Sequence, residues 1–252
     1  MTLESRHGLV QGMNIIENES DLRELLEGSF SDVHITLVSI IQGAALALLA
    51  TEIKDFYYVE GAIRCLPPAA ALCKSAGAHL GLALGLFCVI VLYWNEYRMG
   101  ITIYNWIPTL RDCLIPFGLG ALEIGAILTF GGPIWIPIAH LAALNLLAVF
   151  AFLNMYHKAE ASGLNSFVLG LTGRSKPANI GYAIASSLAL LTSVAVSQFE
   201  IHDGPKGDAV MVICLLIVCA SHFVRQHKQW EVVKEVGSRG SSLDAYAHMG
   251  HR

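Results

Sequence analysis

Charge is scarce in this sequence. Of its 252 residues, 14% are Asp, Glu, Lys or Arg, against roughly 25% in ordinary soluble domains. The net charge of -4 is spread without a basic stripe, so the electrostatic footprint of a nucleic-acid binder is missing. The six cysteines (Cys65, Cys73, Cys88, Cys113, Cys214, Cys219) form no CxxC pair and have no paired histidine spacing beside them. A disulfide framework or a zinc site is therefore not expected, and a thiol in an apolar run is usually a small buried hydrophobe. The first 30 residues carry Glu4, Glu17, Glu19, Asp21, Glu24 and Glu27 and lack the basic start and apolar centre of a cleavable signal. No lipidation motif stands at either end. No nucleophile elbow, phosphate loop or metalloprotease signature appears, which points away from an enzyme and leaves no catalytic residue or metal site to name.

What the sequence has in abundance is apolar length. Its mean hydropathy is +0.55, and a bilayer core of roughly 30 Å is crossed by about 20 mostly apolar residues. Six such runs follow one another: Val33 to Ala50, Ser75 to Trp94, Leu114 to Phe130, Ile134 to Tyr156, Ile180 to Phe199 and Ala209 to Val224. The third and sixth are short, and Gly131-Gly132-Pro133 makes the turn between the third and fourth. The expected fold is an all-α polytopic membrane bundle of about six transmembrane helices, spanning residues 31–226. A cytoplasmic N-terminal segment, 1–30, precedes it and a partly disordered cytoplasmic tail, 227–252, follows. Within the first segment, Leu22, Leu25 and Leu26 share one face of a short amphipathic helix stopped by Gly28.

Basic residues orient the bundle. With the N-terminus inside, twelve lie on the inner side: Arg6, Arg23, Arg98, Arg111, Lys158, Arg174, Lys176, Arg225, Lys228, Lys234, Arg239 and Arg252. Only Lys54, Arg64, Lys74 and Lys206 lie outside. Cytoplasmic loops collect Lys and Arg, so both termini are expected in the cytoplasm and the plasma (inner) membrane is the expected location. Trp94, Trp106, Trp135 and Trp230 fall near helix ends, as an interfacial aromatic belt requires.

Small residues recur at every fourth position. Gly77, Gly81 and Gly85 do so in the second run, and Gly181, Ala185, Ala189, Ser193 and Ser197 in the fifth. Lipid tails are as apolar as leucine, so helices associate by close backbone approach, which such ridges permit. They read first as packing surfaces and second as a smooth surface that slides during transport or an interface with another subunit.

Ionisable residues inside a membrane are costly and call for a partner or a purpose. Glu123 lies nine residues before Gly132 and His140 eight after it, so an antiparallel hairpin brings them to one depth, with Asn145 deeper on the fourth helix. They read either as a structural hydrogen bond across the hairpin or as a pair that handles a proton or cation. A second polar group gathers at the cytoplasmic end: Asp32, His34, Gln42, Glu96, Arg98 and His222. There Ser29 or Ser31 with Asp32 can also serve simply to cap the first helix.

Phe30-Ser31-Asp32 opens the first run, followed by Ile35, Leu37, Ile40 and Ile41, and Tyr93-Trp94-Asn95 ends the second. This pattern resembles the transmembrane protein 175 family of potassium channels, built of six-helix units whose first helix begins Arg-x-x-x-Phe-Ser-Asp and lines the pore. The family's arginine position is Leu26 here, and Glu96 and Tyr97 replace its paired histidines. The likeness covers about a fifth of the chain and implies passage of a small cation. Two other classes compete. A redox protein would hold haem between facing histidines, with His79 and His140 at the outer level and His34 and His222 at the inner. A non-catalytic membrane scaffold would need only the small-residue ridges. The leading expectation is passage of a small cation or other small solute, without a cofactor, by a protein partnered by the lipid bilayer and by copies of itself.

Overall fold

The computed structural model describes residues 19–59, 62–63, 70–104, 110–161, 166–199 and 204–249, with side chains over 32–58, 76–100, 112, 114–157, 176–198 and 206–231. Six helices account for nearly all of it: α1 (Glu19–Tyr57), α2 (Ala70–Tyr104), α3 (Leu110–Leu128), α4 (Trp135–Ala161), α5 (Ser166–Phe199) and α6 (Gly204–Met249). A two-residue antiparallel ladder, β1 (Tyr58–Val59) with β2 (Ala62–Ile63), closes the turn after α1. Five helices carry stretches long and apolar enough to cross a membrane: Asp32–Tyr57, Ala76–Gly100, Trp135–His157, Lys176–Gln198 and Lys206–Glu231. The apolar part of α3, Leu114–Leu128, is shorter.

Each helix packs on two neighbours, in the cyclic order α1, α2, α6, α5, α4, α3 and back to α1. Across the ring α2 meets α4, where the Tyr93 hydroxyl donates to Asn145 Oδ1 at 3.4 Å. This waist divides the interior into one lobe of α1, α2, α3 and α4 and another of α2, α4, α5 and α6. The core of both is apolar, with Leu82, Leu86, Ile90, Ile138, Leu141 and Leu190 at most 1% exposed. Outward positions are equally apolar (Ile40, Leu80, Phe150, Ile217 and Phe223 are among the most exposed), the inside-and-outside apolarity of a helix that faces lipid.

Three sequence expectations change. The amphipathic segment does not stop at Gly28, because α1 runs unbroken from Glu19. One glycine in a helix interior costs only about 1 kcal/mol relative to alanine, too little to end it. Ser29, Ser31 and Asp32 consequently lie inside a helix and cannot cap its start. The tail also differs: α6 stays helical to Met249 across residues for which disorder was expected, carried by helix formers such as Lys234, Glu235 and Ala245. The first 18 residues and the last three lie outside the described residues, as do Cys65 and Trp106.

The small-residue ridges are half as expected. A Cβ on Gly81 would overlap Val212, and one on Gly85 would overlap Leu215, so these two glycines seat α2 against α6; Gly77 meets nothing within 4 Å. On α5 the first part of the ridge faces outward, whereas Ser193 is 6% exposed and Ser197 lies against Met211 and Gly207 of α6. Gly181 meets nothing within 4 Å, Ala185 is exposed and Ala189 only half-buried. The inward face of α5 carries Asn179, Ala183, Ser187 and Leu190 instead, each at most 3% exposed, and Ser187 Oγ donates to the Ala142 carbonyl at 2.9 Å.

Candidate functional site: a polar path through an apolar bundle

On α1 the buried positions are His34, Val38, Gln42, Ala45 and Leu49, a stripe at steps of three and four that places all five on one face. Gln42 is the deep polar member. Its Nε2 donates to Glu123 Oε2 on α3 at 2.9 Å. Glu123 is 1% exposed, and both Glu123 Oε1 and Gln42 Oε1 are buried without a hydrogen-bond partner.

The expected Glu123–His140 hydrogen bond is not formed. His140 Nδ1 pairs with its own backbone at the Ile136 carbonyl, 2.9 Å away, and its ring lies over Gly125, where a Cβ would come within 2.8 Å of it. The shared depth was read correctly and the face was not. Successive helical residues turn by about 100°, so Gly125, which faces α4, points nearly opposite to Glu123. Gly118 against Leu147 of α4 and Gly120 against Ile41 of α1 mark the same two faces. Asn145, also expected near the pair, joins the waist: it accepts from Tyr93 and donates to the Leu141 carbonyl at 2.9 Å.

Toward the end where α1 begins and α6 finishes, called here the terminal end, polar groups multiply. A cavity of about 60 Å³ opens in the first lobe, bordered by His34, Tyr93, Glu96, Tyr97, Asp112 and Asn154 among others. A space of that size with these polar groups on its border has room for several waters. Asn154 donates to Asp112 at 2.6 Å, and His34 lies 6.2 Å from the Tyr97 ring. The Tyr97 hydroxyl is buried without a hydrogen-bond partner.

The second lobe holds a smaller cavity, about 20 Å³, and beside it an ion pair. Arg225 of α6 meets Glu96 of α2 at 2.9 Å, with side chains 13–14% exposed. Glu96 also accepts from Gln226 at 2.7 Å, and Asn95 donates to Gln226 at 2.7 Å. Arg225 reaches Asn179 of α5 as well, and Asn179 donates to the Tyr156 hydroxyl of α4 at 2.6 Å. Four helices are thereby tied by one network. Sequence reading placed Glu96 and His222 at this end but counted Arg225 only as a flanking charge. The missed signal was charge complementarity: both charges stand at one end of neighbouring helices.

The remaining candidates are dispersed. Asp32 is exposed. His79 stacks on Phe56 at 4.2 Å and meets Phe130 edge-on at 5.6 Å. His222 abuts Tyr182 at 4.4 Å. A porphyrin between His79 and His140, or between His34 and His222, would have to displace these packed rings. Among the described residues no group of three or more His, Cys, Asp or Glu could hold a metal ion. Cys88, Cys214 and Cys219 are free thiols. No protein-family model, curated protein or solved structure matches this chain, which leaves the geometry of its interior as the basis for assigning a function.

Proposed function

We propose that this chain is an integral membrane protein that crosses the bilayer six times and passes a small cation through its first lobe, with Glu123 as the group that binds it. The observation that carries this reading is a carboxylate 1% exposed, hydrogen-bonded to a neutral amide and with its second oxygen unpaired. An acidic side chain at a helix centre costs about 2.5–3.5 kcal/mol on insertion scales. A purely structural site would be expected to offset that cost with an ion pair or a full set of donors, and Glu123 has neither. Its position one helical turn beyond Leu119, which borders a cavity carrying His34, Glu96 and Asp112, is that of a binding station on a path.

Six crossings are supported by α3 itself. Its 19 residues rise about 28 Å and its apolar part, Leu114–Leu128, about 22 Å, and it is paired with α4 from Asp112–Asn154 to Gly125–His140. The lysine and arginine count then puts the terminal end in the cytoplasm.

In reconstituted vesicles the wild type should dissipate an imposed cation or proton gradient and Glu123→Gln should not. Equal flux from both proteins would remove Glu123 from the path. A second reading follows from the exposed face of α1, where Val33 and Ile40 are 65% and 64% exposed. Copies assembled around α1 would enclose a conduit like that of the transmembrane protein 175 family. A strictly monomeric protein that still conducts would eliminate that arrangement.

A further inference from the structure

Resting on Glu123 as the cation-binding group, we infer that the cation is a proton and that it reaches Glu123 from the terminal end, through the cavity of the first lobe, while the opposite half of the bundle is closed.

Coordination argues for the proton. Among the described residues, the buried oxygens without partners at this depth are Glu123 Oε1 and Gln42 Oε1, with the Tyr97 hydroxyl as a third toward the cavity. Hard metal cations take roughly six to eight oxygen ligands. The backbone carbonyls nearby are no reserve, because α1 and α3 are continuous helices around Gln42 and Glu123 and their carbonyls accept within the helix. Three oxygens are too few for a metal ion stripped of its water, whereas a proton needs a single lone pair.

Access follows from what lies on either side. Leu119 borders the cavity and stands four residues before Glu123, one turn or about 6 Å away on the same face of α3. Tyr97 also borders the cavity, and its hydroxyl is buried without a hydrogen-bond partner. A hydronium in the cavity can pass one proton, through water held at the Tyr97 hydroxyl, to Glu123 Oε1. The carboxylate becomes a neutral carboxyl and water remains behind. Among the described residues, the titratable groups around this route are His34 from α1, Tyr93, Glu96 and Tyr97 from α2, and Asp112 from α3; Arg225 of α6 is engaged by Glu96, and α4 contributes the neutral Asn145 and Asn154. Beyond Glu123 the character reverses. Ala45, Leu49, Ala126, Ile127, Phe130 and Ile134 are at most 3% exposed and belong to one apolar cluster. Such packing stays dry and stands between Glu123 and His79, the buried imidazole that meets Phe130 at 5.6 Å, so a proton has no wet onward path in this conformation.

One preparation of proteoliposomes tests both halves. Proton flux is read with a trapped pH dye, rubidium and sodium uptake with isotopes, and water access by radiolytic hydroxyl labelling with mass spectrometry. The expected result is proton flux that falls to the level of empty vesicles in Glu123→Gln, with no rubidium or sodium uptake. Tyr97→Phe should slow the flux several-fold without lowering the melting temperature, since the lost hydroxyl has no hydrogen-bond partner to strand. Tyr97 should be labelled several-fold faster than Phe130. Saturable metal-ion uptake that requires Glu123 would overturn the proton assignment and leave cation passage standing. Movement of no ion at all would sink cation passage itself, while the labelling still decides the access route. Equal labelling of Phe130 and Tyr97, or wild-type flux in Tyr97→Phe, would overturn that route.

Discussion

Glu96 and Arg225 meet at 2.9 Å where little water reaches either side chain. Removing one member of such a pair strands the other in a medium that solvates it poorly, at a cost of about 3–5 kcal/mol, whereas replacing both with apolar residues of similar size is often neutral. Glu96→Gln should therefore lower the unfolding midpoint in detergent well below that of the Glu96→Leu/Arg225→Met double variant. If the single change proves as mild as the double, the network contributes little. Glu123 behaves differently under the same logic. Glutamine keeps the shape and can still accept from Gln42, so Glu123→Gln should fold with a change within about 1 kcal/mol while losing flux; a collapse in stability would make the residue structural. That Glu123 is unusual was legible from the sequence, because a carboxylate in an apolar run stands out by type alone. Its partner was not legible. Gln42 is neutral, lies on another helix 81 positions away, and competed with His140, which had the right depth on the wrong face.

Between elements the decisive quantity is how closely two backbones approach. Gly81 and Gly85 bring α2 against α6, where Val212 and Leu215 occupy the space a side chain would need. Gly77, on the same ridge, faces open space. Gly81→Leu and Gly85→Leu should each destabilise the bundle by about 1–3 kcal/mol, and Gly77→Leu should stay within about 0.5 kcal/mol, as exposed substitutions do. Three equal losses in a detergent melt would mean that the ridge packs along its whole length. Spacing alone could not separate these cases. A period of four places residues on one face of a helix but does not say what that face meets. The α5 ridge shows the same ambiguity: Gly181 and Ala185 face outward, Ser193 on the same ridge is buried, and Ser187 and Leu190, off the ridge, are buried too. Helix existence was legible because apolar length is a one-dimensional property. Helix rotation was not, since an apolar lipid and an apolar core impose the same composition on both faces.

The whole molecule is longer than a membrane is thick, and the excess lies on one side. The 46 residues of α6 and 39 of α1 rise about 69 Å and 58 Å, against a hydrocarbon core of roughly 30 Å. Their apolar stretches, Lys206–Glu231 and Asp32–Tyr57, leave the surplus beyond the terminal end, where α1 starts and α6 finishes. That polar overhang suits the side the basic residues assign to the cytoplasm, and it fixes what a topology experiment must find. With α3 as a true span, the linkers at 105–109 and 162–165 share a side with the overhang. The turn at Gly131-Gly132, bonded from Gly132 N to the Thr129 carbonyl at 3.0 Å, lies on the other side with the linker at 200–203. Reporters inserted in the first two linkers should read cytoplasmic, and those at the turn and in 200–203 should read outside. A turn reporter that reads cytoplasmic would mean that α3 dips into the bilayer without crossing it. Glu123 would then be approached from both ends of a re-entrant hairpin, and access from the terminal end alone would no longer hold.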